Sequence, residues 1–363
     1  MINLLIILFF FELNANNKSE IFMQKIYKNI SNNSNLVQPI NIVKNNSKKK
    51  NVILGIIQSY SIKMILPFFK SWIKANYENC DMVMFVRNIA QETINYLKSI
   101  NVTVFQIPDQ YKNVRAINIR WKMYIDFLTK NKNKYRLVLH TDVRDTFFQK
   151  DVFKYYEDYD PFLGIAVEDG TLQNKVNKKW IIDYAGEEKH RKIRNERIIC
   201  VGQIWGTLDK FLEFAIIFWE KLMENPKAIE QGIGNYLIYY KRILKDFIIK
   251  SDNFGPIMTI GITKSNSINF DSNNNILNFM GEIASVIHQY DRKHDIMKMV
   301  IKKFCPELIQ SNQTSQTKNS QLNTFSINNC NKNILYLLIL IQIFTILLSL
   351  KTRISIYEKK QII

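Results

Sequence analysis

The chain has 363 residues and carries 50 Lys and Arg against 32 Asp and Glu, a formal charge of +18. With 47% hydrophobic and 12% aromatic residues it has enough apolar content to bury a core, which excludes a wholly disordered chain. Gly 11 and Pro 7 exclude a collagen-like or Pro-rich fibre, and Cys 4 excludes a small disulfide-stapled scaffold.

Residues 4–11 (LLIILFFF) form an apolar run far short of the roughly 20 residues that span a bilayer. With Ala15 following, the run predicts a secretory signal peptide over 1–15; a buried strand is the alternative. Asn, Ser and Lys dominate residues 16–50, which end in Lys48, Lys49 and Lys50 and read as a polar linker.

From 51 to 305 strand and helix signals alternate. Residues 52–60 (VILGIIQSY) read as a strand, and 65–75 as a helix with Ile65, Phe69, Trp72 and Ile73 on one face. A strand over 81–86, a helix over 92–97 and a strand over 102–107, stopped by Pro108, follow. Residues 116–128 predict a helix with Ile117, Trp121, Tyr124 and Leu128 along one stripe. Residues 135–140 (YRLVLH) lack alternation, as a strand buried on both faces would, and 162–167 and 197–202 are later strands. This order predicts one α/β domain over 51–305, with a mainly parallel central sheet and helices on both faces.

Residues 306–333 are polar and aperiodic and predict a tether. Residues 334–350 (ILYLLILIQIFTILLSL) carry no charge, and Lys351 and Arg353 follow at once. This predicts a C-terminal transmembrane helix with a cytoplasmic tail over 351–363 and a luminal body; a buried helix is the alternative. In a secretory setting Cys80, Cys200, Cys305 and Cys330 can pair in three ways, and their spacing argues against a zinc site. Asn17, Asn29, Asn32, Asn45, Asn101 and Asn312 begin triplets that permit glycosylation. The positive charge invites a nucleic-acid partner. Yet Lys is scattered, no basic–aromatic repeat occurs, and a luminal body meets no genomic nucleic acid, so none is expected.

The strand at 135–140 runs directly into Thr141-Asp142-Val143-Arg144-Asp145. In open α/β sheets ligands sit at the carboxyl ends of strands. Hard cations such as Mg²⁺ and Mn²⁺ take carboxylate oxygens and substrate phosphates. Asp142 and Asp145 therefore predict a metal–diphosphate site. An exposed turn, where Asp is common, is the alternative.

The stretch LVLHTDVRDTFFQKDVF (137–153) resembles the strand and acidic motif of GT-A-type glycosyltransferases, and Phe147, Phe148, Gln149 and Phe153 match its usual continuation. ERIICVGQIWGTLDKFLEF (196–214) resembles the strand and turn that face the acceptor sugar in that family. EQGIGNYLIY (230–239) resembles the acidic-Gln element near the reacting carbon. IHQYDR (287–292) resembles a His-containing motif that supplies a third metal ligand in some retaining families. The resemblance covers about residues 51 to 297. It implies a single GT-A-like (Rossmann-like) domain, a nucleotide-diphosphate sugar donor and Mn²⁺ or Mg²⁺ as cofactor. It also implies transfer of a hexose or pentose to a glycan, protein or lipid acceptor. With the predicted span, the place is a Golgi or ER membrane. Three features depart from the family pattern. The acidic motif is one residue longer than Asp-x-Asp, Glu230 stands where Asp is usual, and the span is C-terminal where such Golgi enzymes mostly have an N-terminal anchor.

The resemblance and the chemistry together assign metal binding to Asp142, Asp145 and His288, with Asp291 and Arg292 as supporting neighbours. Glu230, Gln231 and Arg144 are the expected catalytic residues. Glu230 is the candidate base of an inverting transfer, while the His motif favours a retaining one. Arg115, Arg120 and Arg144 are expected at phosphate oxygens, with surface ion pairs as the alternative. Gly55, Gln58 and Tyr60 are expected at the base or ribose, where Gly lets backbone approach closely, and Asp142 is also a candidate for the ribose. Trp121 reads as core, and Trp205 as an acceptor contact or as packing. A catalytically inactive, membrane-tethered carbohydrate- or nucleotide-binding protein of the same fold is the alternative function. A metal-dependent phosphodiesterase would gather more acids and His than His 4 allows.

Overall fold

The computed structural model describes residues 49–309. The predicted signal peptide, nearly all of the linker, and the tether, span and tail lie outside the described residues. Among the described residues no helix is long and apolar enough to cross a membrane. Contacts divide the chain into two units, Met1–Val300 and Ile301–Ile363. In the second, the described part is a helical turn whose Cys305 N–H donates to Ile301 O at 2.8 Å.

The first unit is built on a seven-stranded sheet. Its strands in chain order are β1 (Lys50–Gln58), β2 (Cys80–Arg87), β3 (Thr103–Gln106), β4 (Tyr135–Thr141), β6 (Leu163–Thr171), β7 (Arg197–Thr207) and β8 (Ile248–Ser251). Their spatial order is β3-β2-β1-β4-β7-β6-β8. β3, β2, β1 and β4 are mutually parallel, and β8 is parallel to β6. β7 runs antiparallel to both β4 and β6. The α/β class and mainly parallel sheet expected from the sequence are present.

Helices cover both faces because the strands are apolar on both faces. Val52, Leu54 and Ile56 of β1 point into one core, with Trp121 and Tyr124 of α3 (Ala116–Lys130) and Phe211, Phe214 and Phe218 of α6 (Leu208–Glu224). Ile53 and Ile57, the alternate residues, enter the other core with Ile65, Phe68 and Phe69 of α1 (Ile62–Ala75) and Leu97 of α2 (Gln91–Ser99). α4 (Lys175–Ala185), α5 (Glu187–Ile193) and α7 (Glu230–Asn235) complete the arrangement around β7.

A second sheet escapes the sequence reading. β5 (Thr146–Phe148), β9 (Ile257–Thr259) and β12 (Val286–His288) pair in the order β5-β12-β9, while β10 (Asn269–Phe270) and β11 (Ile276–Leu277) form a small hairpin ladder. The strands of the second sheet are three residues each, too short for any periodicity to register. Yet this sheet brings the segment at 286–288 against the acidic turn. After β12 comes α8 (His294–Phe304).

Two readings that the sequence leaves open are decided. Cys80 and Cys200 carry free thiols rather than disulfides. Trp205 is fully buried, packed against Tyr156 at 5.6 Å between ring centroids, so it is core and no acceptor platform; Trp121 is core as expected.

Candidate functional site

β4 delivers the acidic turn. It is a central strand, paired with β1 on one side and β7 on the other, and its carboxyl end opens into residues 142–145 before β5 begins. Gln203 of β7 fastens this turn from beneath. Its buried amide donates to Thr141 Oγ1 at 2.6 Å and Thr146 Oγ1 at 2.9 Å, one residue outside each acid. β7 reaches that position through a bulge. Ile165 of β6 pairs with Ile204, but the next residue, Ala166, pairs with Cys200. Val201, Gly202 and Gln203 are thereby freed from β6 and arch toward the turn, where Gly202 O accepts the Asp142 N–H at 2.9 Å.

Gly202 is required there. A Cβ at this position would lie 2.5 Å from Asp142 Oδ2 and 2.8 Å from His288 Cε1. Neither Gly202 nor Gln203 was expected from the sequence; an apolar strand with Gly-Gln inside it is the only trace of the bulge.

β12 supplies the third group. His288 pairs with Thr146 across the β5–β12 ladder, and the next residue, Gln289, donates its N–H to Asp145 O at 2.7 Å. His288 Nε2 lies 3.5 Å from Asp145 Oδ1 and 3.7 Å from Asp142 Oδ2. Ligand atoms of Asp142, Asp145 and His288 all fall within 4.8 Å of one another. His288 is 1% exposed, and its Nε2 has no hydrogen-bond partner. A buried nitrogen without a partner, facing two carboxylates, is the arrangement a cation completes. Two carboxylates and one imidazole form a donor set that fits Mn²⁺ or Mg²⁺, so the expected ligands are in fact brought together.

Electrostatics agree with a poised cation site. Burial works against charge on Asp142, but Arg120 and then His288 hold its carboxyl far below the usual range. Burial likewise opposes Asp145, and His288 outweighs it. Burial pushes His288 down, yet Cys200, Asp145 and Asp142 raise it well above the ordinary imidazole value. Burial pushes the Cys200 thiol up, against the pull of His288.

Arg120 links this cluster to Glu230. It is buried, donating to Asp142 Oδ1 at 2.6 Å and to Glu230 Oε1 at 2.5 Å. Burial opposes its charge, but Glu230 and Asp142 outweigh burial and keep it protonated. Glu230 also accepts from Trp121 Nε1 at 3.2 Å. Its pKa is pushed up to about 7 by burial, against the pull of Arg120. Gln231 donates to Asn177 Oδ1 at 3.0 Å and Glu168 Oε1 at 3.4 Å, so its nitrogen is turned inward.

The other expected residues are placed less uniformly. Arg144 is 43% exposed and pairs with Asp291 at 3.1 Å and Asp145 at 3.6 Å. Asp291 thus supports Arg144 rather than His288, and burial raises its pKa. Tyr60 faces the cluster: burial raises its phenol, and Arg144, Asp142, Asp145 and Arg120 all act on it. Gln58 accepts from Arg87 at 2.7 Å. Arg115 is an exposed residue at the N-cap of α3, with Arg120 more than a turn further along the helix. Gly55 is corrected. The space in front of its backbone is filled, since a Cβ there would lie 2.6 Å from Val143 Cγ2 and 2.8 Å from Met84 Sδ. Its small size admits the acidic turn, not a ligand.

No protein-family model matches this chain, and no curated protein matches it by sequence. Solved structures do align with it. The galactosyltransferase LgtC, in complex with donor and acceptor sugar analogues, aligns over 65% of this chain and 86% of its own, at 13% identity and a TM-score of 0.42. The glycosyltransferase GlyE of Streptococcus pneumoniae TIGR4 aligns over 66% of this chain and 54% of its own, at 14% identity and a TM-score of 0.42. Core-mannan synthase A of Aspergillus fumigatus, in its Mn/GDP form, aligns over 55% and 72%, at 11% identity and a TM-score of 0.34.

Proposed function

We propose that this protein is a metal-dependent glycosyltransferase that moves a hexose or pentose from a nucleotide-diphosphate sugar to a glycan, protein or lipid acceptor. The observation that carries the reading is the convergence of Asp142, Asp145 and the unpartnered Nε2 of His288 at the carboxyl end of a central strand. Mn²⁺ or Mg²⁺ held there supplies Lewis-acid stabilisation of a diphosphate leaving group.

The chain's own residues do the rest. Arg120 stays charged and keeps Asp142 ionised and oriented. Arg144, part-exposed and paired with Asp291 and more loosely with Asp145, can exchange a partner for a phosphate oxygen. Tyr60 is close enough to Arg144, Asp142 and Asp145 for their charges to act on its phenol, which suits a contact to the donor. Glu230, with a pKa of about 7, exchanges a proton near neutrality, the property a general acid or base at an acceptor hydroxyl needs. Gln231 has its amide nitrogen held by Asn177 and Glu168. The His288 motif favours a retaining course. The charge-free run at 334–350 and the apolar run at 4–11 favour a luminal body tethered to a secretory-pathway membrane.

The test is release of nucleoside diphosphate by the full-length protein from a panel of nucleotide sugars, with Mn²⁺ or chelator, with and without acceptors. Release that needs both Mn²⁺ and Asp145, lost in Asp145→Ala, supports the reading and names the donor. No turnover with any donor sinks it; thermal stabilisation by a nucleotide sugar without turnover then points to the inactive binding protein.

A further inference from the structure

His288 has a second ring nitrogen, and its surroundings explain how the first is aimed. Nδ1 lies 3.4 Å from Cys200 Sγ and 3.5 Å from Thr259 Oγ1. For nitrogen and sulfur 3.4 Å is a close approach, whereas 3.5 Å between nitrogen and oxygen is at the outer limit of a hydrogen bond. The same sulfur receives the Gln289 Nε2–H at 3.9 Å. Cys200 thus sits at the convergence of two neighbouring side chains of the segment that closes over the acidic turn. It is 1% exposed, so no water competes for its lone pairs.

A histidine that offers one nitrogen to a cation must carry its proton on the other, and that N–H needs an acceptor. We infer that Cys200 is a positioning residue for His288: its sulfur accepts a hydrogen bond from Nδ1–H, which fixes the tautomer with the lone pair on Nε2 and turns that atom toward Asp142 and Asp145. This rests on His288 serving the cation of the proposed transferase. β7 then acts on the site twice, with Gly202 leaving room for His288 Cε1 and Cys200 holding the adjacent Nδ1. The bulge in β7 begins at Cys200, where the pairing with β6 breaks, so one irregularity places both.

The experiment measures Mn²⁺ affinity of the full-length protein directly, from the electron paramagnetic resonance signal of free Mn²⁺, with melting temperature in chelator as the check on folding. Cys200→Ala is expected to weaken Mn²⁺ about 10-fold or more. Cys200→Ser, whose hydroxyl also accepts, recovers most of that loss. Thr259→Val binds as wild type. In the His288→Ala background, Cys200→Ala adds no further loss, because its effect runs through the ring. Unchanged affinity in Cys200→Ala, a loss that moves to Thr259→Val, or additivity with His288→Ala overturns the inference while leaving the metal site standing. A wild-type protein that binds no Mn²⁺ overturns the metal reading and this inference with it.

Discussion

Gly202→Ala places a methyl group where the structure has none to spare. The new Cβ lies 2.8 Å from His288 Cε1 and 2.5 Å from Asp142 Oδ2. Carbon atoms rest at about 3.5 Å or beyond, so the ring must retreat by about 0.7 Å, and the carboxylate by a similar amount. Metal–ligand distances tolerate only about 0.2 Å. Asp142 cannot yield freely, since Arg120 grips its other oxygen at 2.6 Å and its backbone N–H is tied to Gly202 O. The strain therefore falls on the spacing between the two ligands, and Mn²⁺ affinity should fall about 10- to 100-fold. Overpacking also costs about 1–3 kcal/mol of stability, read separately as a lower melting temperature in chelator. Mn²⁺-induced thermal stabilisation and the resonance signal of free Mn²⁺ measure the affinity. A Gly202→Ala protein that binds Mn²⁺ like wild type would refute the placement of Asp142 and His288 on either side of that glycine.

Asp145→Asn and His288→Ala should each abolish the rise in melting temperature that Mn²⁺ gives the wild type, read for each protein as the difference between Mn²⁺ and chelator so that any change in basal stability cancels. Glu230 predicts a pH effect on stability. Its folded pKa, about 7, lies above the ordinary 4.5, so the proton it holds stabilises the fold below pH 4.5, and this contribution is lost as pH rises through 7. The full effect is about 3 kcal/mol. Melting curves of Glu230→Gln between pH 5 and 8 should be flatter than those of the wild type; parallel curves would count against a raised Glu230. Arg120→Met leaves Glu230 buried without its cation and should cost about 3–5 kcal/mol in urea unfolding. Adding Glu230→Gln should return part of that loss, and simple additivity would show that the pair is not coupled.

The chain's own pattern determined its class and its acids. Long apolar strands such as 52–57 and 137–139 are legible because both faces are buried, and Asp142 and Asp145 stand out as charges at the end of one of them. Arg120 was visible as a basic residue on the helix before the acidic motif, but its burial between Asp142 and Glu230 was not, since it depends on α3 and α7 meeting at the same strand end. Gly55 shows the opposite failure: its freedom was read as room for a ligand, when a distant residue, Val143, already occupies that room.

The tertiary structure alone decided what stands around the acids. β12 is three residues long and carries no periodic signal, yet its antiparallel pairing with β5 sets His288 opposite Thr146 and so beside Asp145. Gly202, Gln203 and Cys200 act on the site only because β7 loses register with β6 between Ile165 and Ala166. Local sequence encodes hydrophobic period and turn chemistry, which act over a few residues. Register and bulges are settled by contacts among residues 60 to 150 positions apart, and those contacts join the acids, the imidazole and the thiol in one site.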